Sequence, residues 1–405
     1  MSGKDAVFDR IKRSFIRKGL EDRHAQRLLR RMKGIKPLSG VEIEVDGKRM
    51  LNFSSNDYLG LSNHPLLGER ATEFIRRYGS GSTASRLVCG NYECFEHVEK
   101  KIAELSGRQS ALIFNSGFQA NTSLLPSLAD HETTILSDRL NHNSLIQGCL
   151  LSRCHIERFR HNDMGHLEEL LIKNRERGKE RRILIVTEAV FSMDGDQSDI
   201  DTLIRLSRDY EAFLFVDEAH ATGLFGRNGM GLTSWKDVDI TMGTLGKAAG
   251  SFGAYVACDT EIRDYLINFC YGLIYTTALP PSVLGAIDAA MDLIPSMDKE
   301  REELFKKADH LRKALHGLDF NTSTSNTHII PIVIGDEEKT MALSRWLEIN
   351  GILAVTFRYP SVTRGDSRIR LTLSAAHTWE HVELLIDLLR KSKYDFSKQD
   401  IHHRH

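Results

Sequence analysis

Between residues 111 and 244 the chain repeats one arrangement: a short apolar run that closes on polar residues, followed by a stretch that reads as helix. The runs are Ala111–Phe114, Thr134–Asp138, Arg182–Glu188, Phe213–Asp217 and Ile240–Thr244. Runs this short, dominated by branched and aromatic residues with little alternation, predict strands buried on both faces. The stretches after them, up to Leu125, over Leu145–Ser152 and over Ile200–Arg208, predict helices. Strand and helix in alternation predict βαβ units and a mostly parallel sheet, with the polar residues gathered along one edge.

The flanking regions read differently. Val41–Phe53 alternates around Asp46-Gly47, the signal of a β-hairpin, and leads into a polar turn, Ser54-Ser-Asn56-Asp-Tyr-Leu-Gly60. A Gly/Ser-rich loop over 79–90 precedes a helical stretch, Tyr92–Leu105. Pro280-Pro281 then interrupts the pattern. Beyond it helices start at Ser282 and Lys299, strands fall at His328–Ile334, Leu353–Phe357 and Arg368–Leu373, and Thr378–Ser392 closes as a helix. The expected division is an N-terminal helical arm with the start of the hairpin over 1–45, a large unit over 46–280, and a smaller α+β unit over 281–405.

Composition narrows the class without choosing a function. Hydrophobic residues make up 41% and charged residues 27%, which describes a globular chain. A formal net charge of -1 gives no global pull toward nucleic acid, and no apolar run is long enough for a membrane span. The six cysteines include no C-x-x-C pair and read as reduced, buried thiols of a cytoplasmic protein, with no metal site. Residues 1–34 hold eleven Lys/Arg against four Asp/Glu, with Val7, Ile11, Phe15 and Ile16 spaced as one helix face. This basic arm is expected to pack on the body or on a partner. The tail Ile401–His405 reads as frayed.

The candidate chemistry lies at the ends of the runs. Lys247 sits among small residues in Thr244-Leu-Gly-Lys-Ala-Ala-Gly, where a flat ligand can approach the amine. Asp217 ends a strand and is followed by His220. A Schiff-base lysine and an acidic partner for a ring nitrogen are what pyridoxal 5'-phosphate requires of a protein. Taken alone, the same residues also describe a loop lysine and a capping aspartate. Ser116-Gly117-Phe118 opens a helix behind a strand, where free N–H groups and the helix dipole favour the phosphate. His142 follows the next strand and can stack on a ring or cap a helix. Asn56 can bind a carboxylate or close a turn, and the strand arginines near Arg370 suit carboxylate clamps. No G-x-G-x-x-G follows the first strand of the sheet, which argues against a nicotinamide dehydrogenase.

These motifs, in this order, resemble the α-oxoamine synthases, fold-type I pyridoxal phosphate enzymes that condense an amino acid with an acyl thioester. The resemblance runs through Ser-Ser-Asn56-Asp-Tyr-Leu-Gly, Ser116-Gly-Phe, Asp138-x-x-Asn-His142-x-Ser, Phe191-Ser192-Met-Asp-Gly, Asp217-x-Ala-His220-x-Thr-Gly, Thr244-x-Gly-Lys247 and Arg368-Ile-Arg370. It implies an aspartate-aminotransferase-like α/β fold, with a mostly parallel central sheet in a large domain and a smaller α+β C-terminal domain. It also implies a homodimer with sites at the interface.

By the same resemblance Lys247 would carry the cofactor and act as base and acid, Asp217 would hold the pyridinium, and His142 would stack on the ring. Ser192 and His220 would contact the ring oxygen. Ser116, Gly117, Phe118 and Thr244 would surround the phosphate, with Thr276 or Thr277 reaching the neighbouring subunit's site. Arg370 and Asn56 would orient the amino-acid carboxylate, while Arg30 and Ser361 would face the acyl substrate. Ile274–Pro281 is similar to the branch that joins L-alanine to a pimeloyl thioester on the way to biotin. Phe357-Arg-Tyr-Pro360 is similar instead to the branch that joins glycine to acetyl-CoA. A non-catalytic partner subunit is the remaining alternative, opposed by the presence of Lys247, Asp217, His142 and His220.

Overall fold

The computed structural model describes residues 12–26, 28–178 and 181–402, with side chains as far as 393. In chain order it begins with α1 (Ser14–Ala25), β1 (Ile35–Pro37), β2 (Glu42–Val45), β3 (Lys48–Asn52), α2 (Pro65–Tyr78) and α3 (Glu93–Ser106). The alternating region follows as β4 (Ser110–Phe114), α4 (Gly117–Leu128), β5 (Thr133–Asp138), α5 (Asn143–Leu151), β6 (His155–Phe159), α6 (Met164–Arg177), β7 (Arg182–Glu188), α7 (Ile200–Asp209), β8 (Phe213–Asp217), β9 (Ile240–Thr244) and β10 (Ala254–Cys258). Next come α8 (Thr260–Phe269), α9 (Tyr271–Ile274), α10 (Pro281–Leu293), α11 (Asp298–Gly317), β11 (Ile329–Gly335) and α12 (Glu337–Ile349). The chain closes with β12 (Ile352–Leu353), β13 (Thr356–Phe357), β14 (Ser367–Thr372) and α13 (Trp379–His402).

The central sheet has seven strands in the order β4-β10-β9-β8-β7-β5-β6. β10 runs against both of its neighbours, while the remaining pairs are parallel. The polar ends of β4, β5, β7, β8 and β9 therefore share one edge, as the apolar runs predict. Both faces are covered. Leu112 and Phe114 of β4 join Val256 of β10 and Leu124 of α4 in one core, while Ala111 and Ile113 join Tyr255 of β10 and Ile102 of α3 in another. Burial on both faces is the physical reason these runs show so little alternation.

The hairpin forms at Asp46-Gly47, both with positive φ, and β2 pairs β3 antiparallel. One expectation needs correction. Leu353–Phe357 is not one strand. Ile352 and Leu353 pair parallel with β3 and complete the hairpin sheet, whereas Thr356 and Phe357 pair with β14 in a three-stranded sheet with β11. Ala354 and Val355 make the bend, and Ser54 Oγ accepts from the Val355 N–H at 2.9 Å there. The helix from Pro281 packs on α2 and α3, with Leu284, Ile287 and Met291 in the same core as Phe74, Val98 and Ile102. We propose placing this helix with the large unit, and the whole hairpin with the C-terminal unit that completes its sheet.

α1 buries no residue, and Phe15 and Ile16 are exposed; at its C-terminal end His24 and Ala25 line a surface hollow with Met341 and Arg358. Val7, Ile11 and the tail from 403 lie outside the described residues. Cys94 and Cys149 are buried as expected and Cys154 half-buried, but Cys89 is exposed on the turn before α3. Among the described residues no helix is long and apolar enough to cross a membrane.

Candidate active site

Asp217 ends β8 in the middle of the sheet, and its carboxylate is buried. It accepts from Asn121 Nδ2 at 2.7 Å and from the Ala219 N–H at 2.8 Å. Burial pushes its pKa up, while the Asn121 hydrogen bond and the positive charge of Lys247 pull it back. The Asn121 amide, from the first turns of α4, also donates to Ser144 Oγ at 2.9 Å, which lies 2.7 Å from His142 Nδ1. His142 caps α5, its ring accepting from the Ser144 N–H. The capping and ring-stacking readings of His142 are compatible, because the cap uses only one ring nitrogen.

Lys247 lies in the turn beyond β9, where Gly250 and Gly253 take positive φ and Leu245 N–H closes on the Gly253 carbonyl at 2.9 Å. A Cβ on Gly250 would stand 2.5 Å from the backbone of Leu61 and Ser62, so the turn requires glycine there. Lys247 Nζ is 2.8 Å from His220 Nε2. Burial lowers the amine to about 8, against the opposing pull of Asp217 and Glu188. From His220 the row continues: Nδ1 is 2.6 Å from Tyr58 Oη, which donates to Asn56 Oδ1 at 3.0 Å. Arg370 Nη2 donates to the same oxygen at 2.8 Å, and its Nη1 to the Ser192 carbonyl at 3.1 Å.

At the start of α4, Ser116 caps the helix by accepting from the Gln119 N–H, so the first-turn N–H groups of Gly117 and Phe118 have no partner within the helix. Thr244 ends β9 alongside, donating to the Gly253 carbonyl at 3.2 Å. Asn115 Nδ2 lies 3.0 Å from Thr276 Oγ1 and donates to the Thr277 carbonyl at 3.0 Å, which brings that segment beside the helix start. Arg30 Nη2 donates to Ser361 Oγ at 3.4 Å on the surface, which brings together the two residues of the expected acyl site.

Three contributors were not singled out by the sequence reading. Tyr58 lies inside the Asn56 motif, where only Asn56 was given a role. Glu188 ends β7 opposite Asp217, accepts from the His142 N–H at 2.5 Å, and is driven well above the usual carboxylate range by burial and by Asp217. Its signal was available, since it ends an apolar run as Asp217 does. His161 bridges Asp138 and Asp196 at 3.0 and 2.9 Å. Burial disfavours its charge, but the two carboxylates win and raise it to about 10. This strut holds the 191–196 turn, which presents Ser192 to Arg370 and Asp194 to Arg368 at 2.7 Å.

The residues fit pyridoxal phosphate. Unpaired helix N–H groups and a threonine hydroxyl suit an anion, a buried carboxylate without a cationic hydrogen-bond partner suits a ring N–H, and a desolvated amine suits an aldehyde. Arg370 Nε is buried without a partner, which leaves the guanidinium donor capacity for a carboxylate.

The comparisons agree with this geometry. The model of the aminotransferase class I and II family matches residues 48–389. A relative from Desulfosudis oleivorans is 54% identical over 376 residues, covering 93% of this chain and 97% of its own, and its assignment as an 8-amino-7-oxononanoate synthase is provisional. The solved 8-amino-7-oxononanoate synthase of Francisella tularensis superposes with a TM-score of 0.74 at 27% identity, covering 86% of this chain and 99% of that one. A structure described as SPT with pyridoxal phosphate superposes at 0.85 with 25% identity, covering 96% and 97%. The chain therefore belongs to the aminotransferase class I and II family, and within it to the pyridoxal phosphate-dependent acyltransferases known as α-oxoamine synthases.

Proposed function

We propose that the protein condenses L-alanine with a pimeloyl thioester, on coenzyme A or an acyl-carrier protein, releasing 8-amino-7-oxononanoate, the carrier thiol and carbon dioxide in biotin biosynthesis. The observation that carries the reading is the row from Lys247 through His220, Tyr58 and Asn56 to Arg370, which sets an amine and a carboxylate clamp at fixed spacing. The names of the relatives point to the product, and the resemblance carried by Ile274–Pro281 points to the substrates.

When bound, the cofactor supplies an electron sink next to the amino-acid α-carbon. Lys247 would hold it and would serve as the base that takes the α-proton, a task to which an amine near 8 is suited at neutral pH. Asp217 would hold the ring nitrogen, and His142 would help to hold the ring. Ser192 and His220 would contact the ring oxygen, and Ser116, Gly117, Phe118 and Thr244 would hold the phosphate. Arg370 and Asn56 bind the carboxylate that leaves as carbon dioxide. Arg30 and Ser361 face the thioester, whose carbonyl carbon is attacked as the thiolate departs, and Lys247 returns the proton to the product.

The working form is a cytoplasmic homodimer. Val88, Phe118, Phe252, Tyr271 and Tyr275 stand exposed. A second copy covering them would bring Thr276 and Thr277 to the neighbouring site. The alternative substrate pair is glycine and acetyl-CoA, favoured by the segment Phe357-Arg-Tyr-Pro360. Thiol release and carbon dioxide are to be measured with each pair. Turnover with alanine and pimeloyl-CoA supports the proposal, and turnover confined to glycine and acetyl-CoA replaces it with the alternative.

A further inference from the structure

The clamp arginine and the buried lysine stand at opposite ends of one hydrogen-bonded row, and the row has a single consistent direction. A guanidinium donates and never accepts, so the Asn56 atom 2.8 Å from Arg370 Nη2 is the amide oxygen. That oxygen carries no hydrogen and lies 3.0 Å from Tyr58 Oη, so the phenol hydrogen points at it. Only lone pairs are then left on Tyr58 Oη for His220 Nδ1, 2.6 Å away, and Nδ1 must carry the ring hydrogen. Burial, then the charges of Lys247 and Arg370, hold His220 well below the usual imidazole range, so the ring is neutral and Nε2 is bare. Lys247 Nζ, at 2.8 Å, donates to it.

We propose that Tyr58 is a positioning residue that fixes His220 as the Nδ1–H tautomer, so that Lys247 commits an N–H to His220 and keeps its remaining valences turned toward the cofactor. The inference rests on Lys247 being the reactive amine. Tyr58 suits the task. It is fully buried, burial drives its pKa upward, and it stays a neutral phenol across the working range. Its ring is held by His328, edge-on at 4.1 Å between centroids, a contact that Tyr58→Phe retains.

The test is nitrogen NMR of ring-labelled histidine in the cofactor-free protein, with the His220 signal assigned by its loss in His220→Gln. The native protein is expected to show Nδ1–H. Tyr58→Phe removes the acceptor for that hydrogen, and Asn56→Ala frees the phenol to donate to Nδ1 instead. Both are expected to shift His220 toward Nε2–H and to slow pyridoxal phosphate capture roughly five- to tenfold, the worth of one hydrogen bond. The Asn56 variant keeps the tyrosine in place, so agreement between the two separates the tautomer from packing damage. Native His220 found as Nε2–H, or Nδ1–H retained in both folded variants, overturns the proposal. Failure of the native protein to bind pyridoxal phosphate at Lys247 overturns the underlying function instead, and shows separately as absence of the yellow colour.

Discussion

Two buried carboxylates, Asp217 and Asp288, are equally hidden from water and differently treated. Asp288, on α10, receives Arg70 of α2 and both Lys101 and His97 of α3, the last at 3.1 Å. Its charge is answered several times over, and three helices are pinned at one point. Asp217 receives an amide and one backbone N–H, with Lys247 and His142 near enough to act on it only through space. Glu188 beside it adds acidity to the neighbourhood without adding a counter-charge. A buried charge that neighbours saturate is structure; one left partly answered is a place for something else.

The strongest way to break that contrast is at the amine. Lys247→Ala should abolish the yellow colour and lower turnover by at least ~10²–10⁴-fold while the protein stays folded. Colour and rate that survive would remove Lys247 from the site. Next come the two carboxylates themselves. Asp217→Asn should cost about 10²-fold or more in turnover with little change in melting temperature. Asp288→Asn should show the reverse: about 1–3 kcal/mol less stability by urea titration and near-native activity per folded molecule. An exchange of those two phenotypes would refute the distinction.

Arg370→Lys keeps the charge and loses the fork, and should raise KM for the amino acid about 10–100-fold with a smaller change in kcat. The smallest effect is the pH dependence of the free amine. Lys247 should react with an acylating reagent in the cofactor-free protein with a midpoint near 8, not near 10.5. Its folded pKa lies below the unfolded value, so between those two pH values the unfolded chain binds more protons. The contribution of this group to stability therefore rises with pH across that window.

Much of this was legible because it is local. Strand runs ending in Asp217, Thr244 and Asp138, and a serine-glycine helix start, carry their signals within a few residues. What escaped depends on distant chain. β6 is an edge strand of half-exposed, charged residues, His155-Ile-Glu-Arg-Phe159, whose pattern is weak for that reason. The break between Leu353 and Thr356 exists because β3 and β14 claim the two halves for different sheets. Tyr58 acquires a role only because His220 arrives 162 positions later.

The same distances bear on how the protein is made. Asn56 meets Arg370 across 314 positions, and β3 meets β12 only when residue 352 is available. A nascent chain halted before Ser367 already contains Ser116, His142, Asp217, Thr244 and Lys247, yet lacks Arg370, the arginine proposed to receive the carboxylate. Synthesis therefore delivers the proposed cofactor cradle well before Arg370, the proposed substrate clamp.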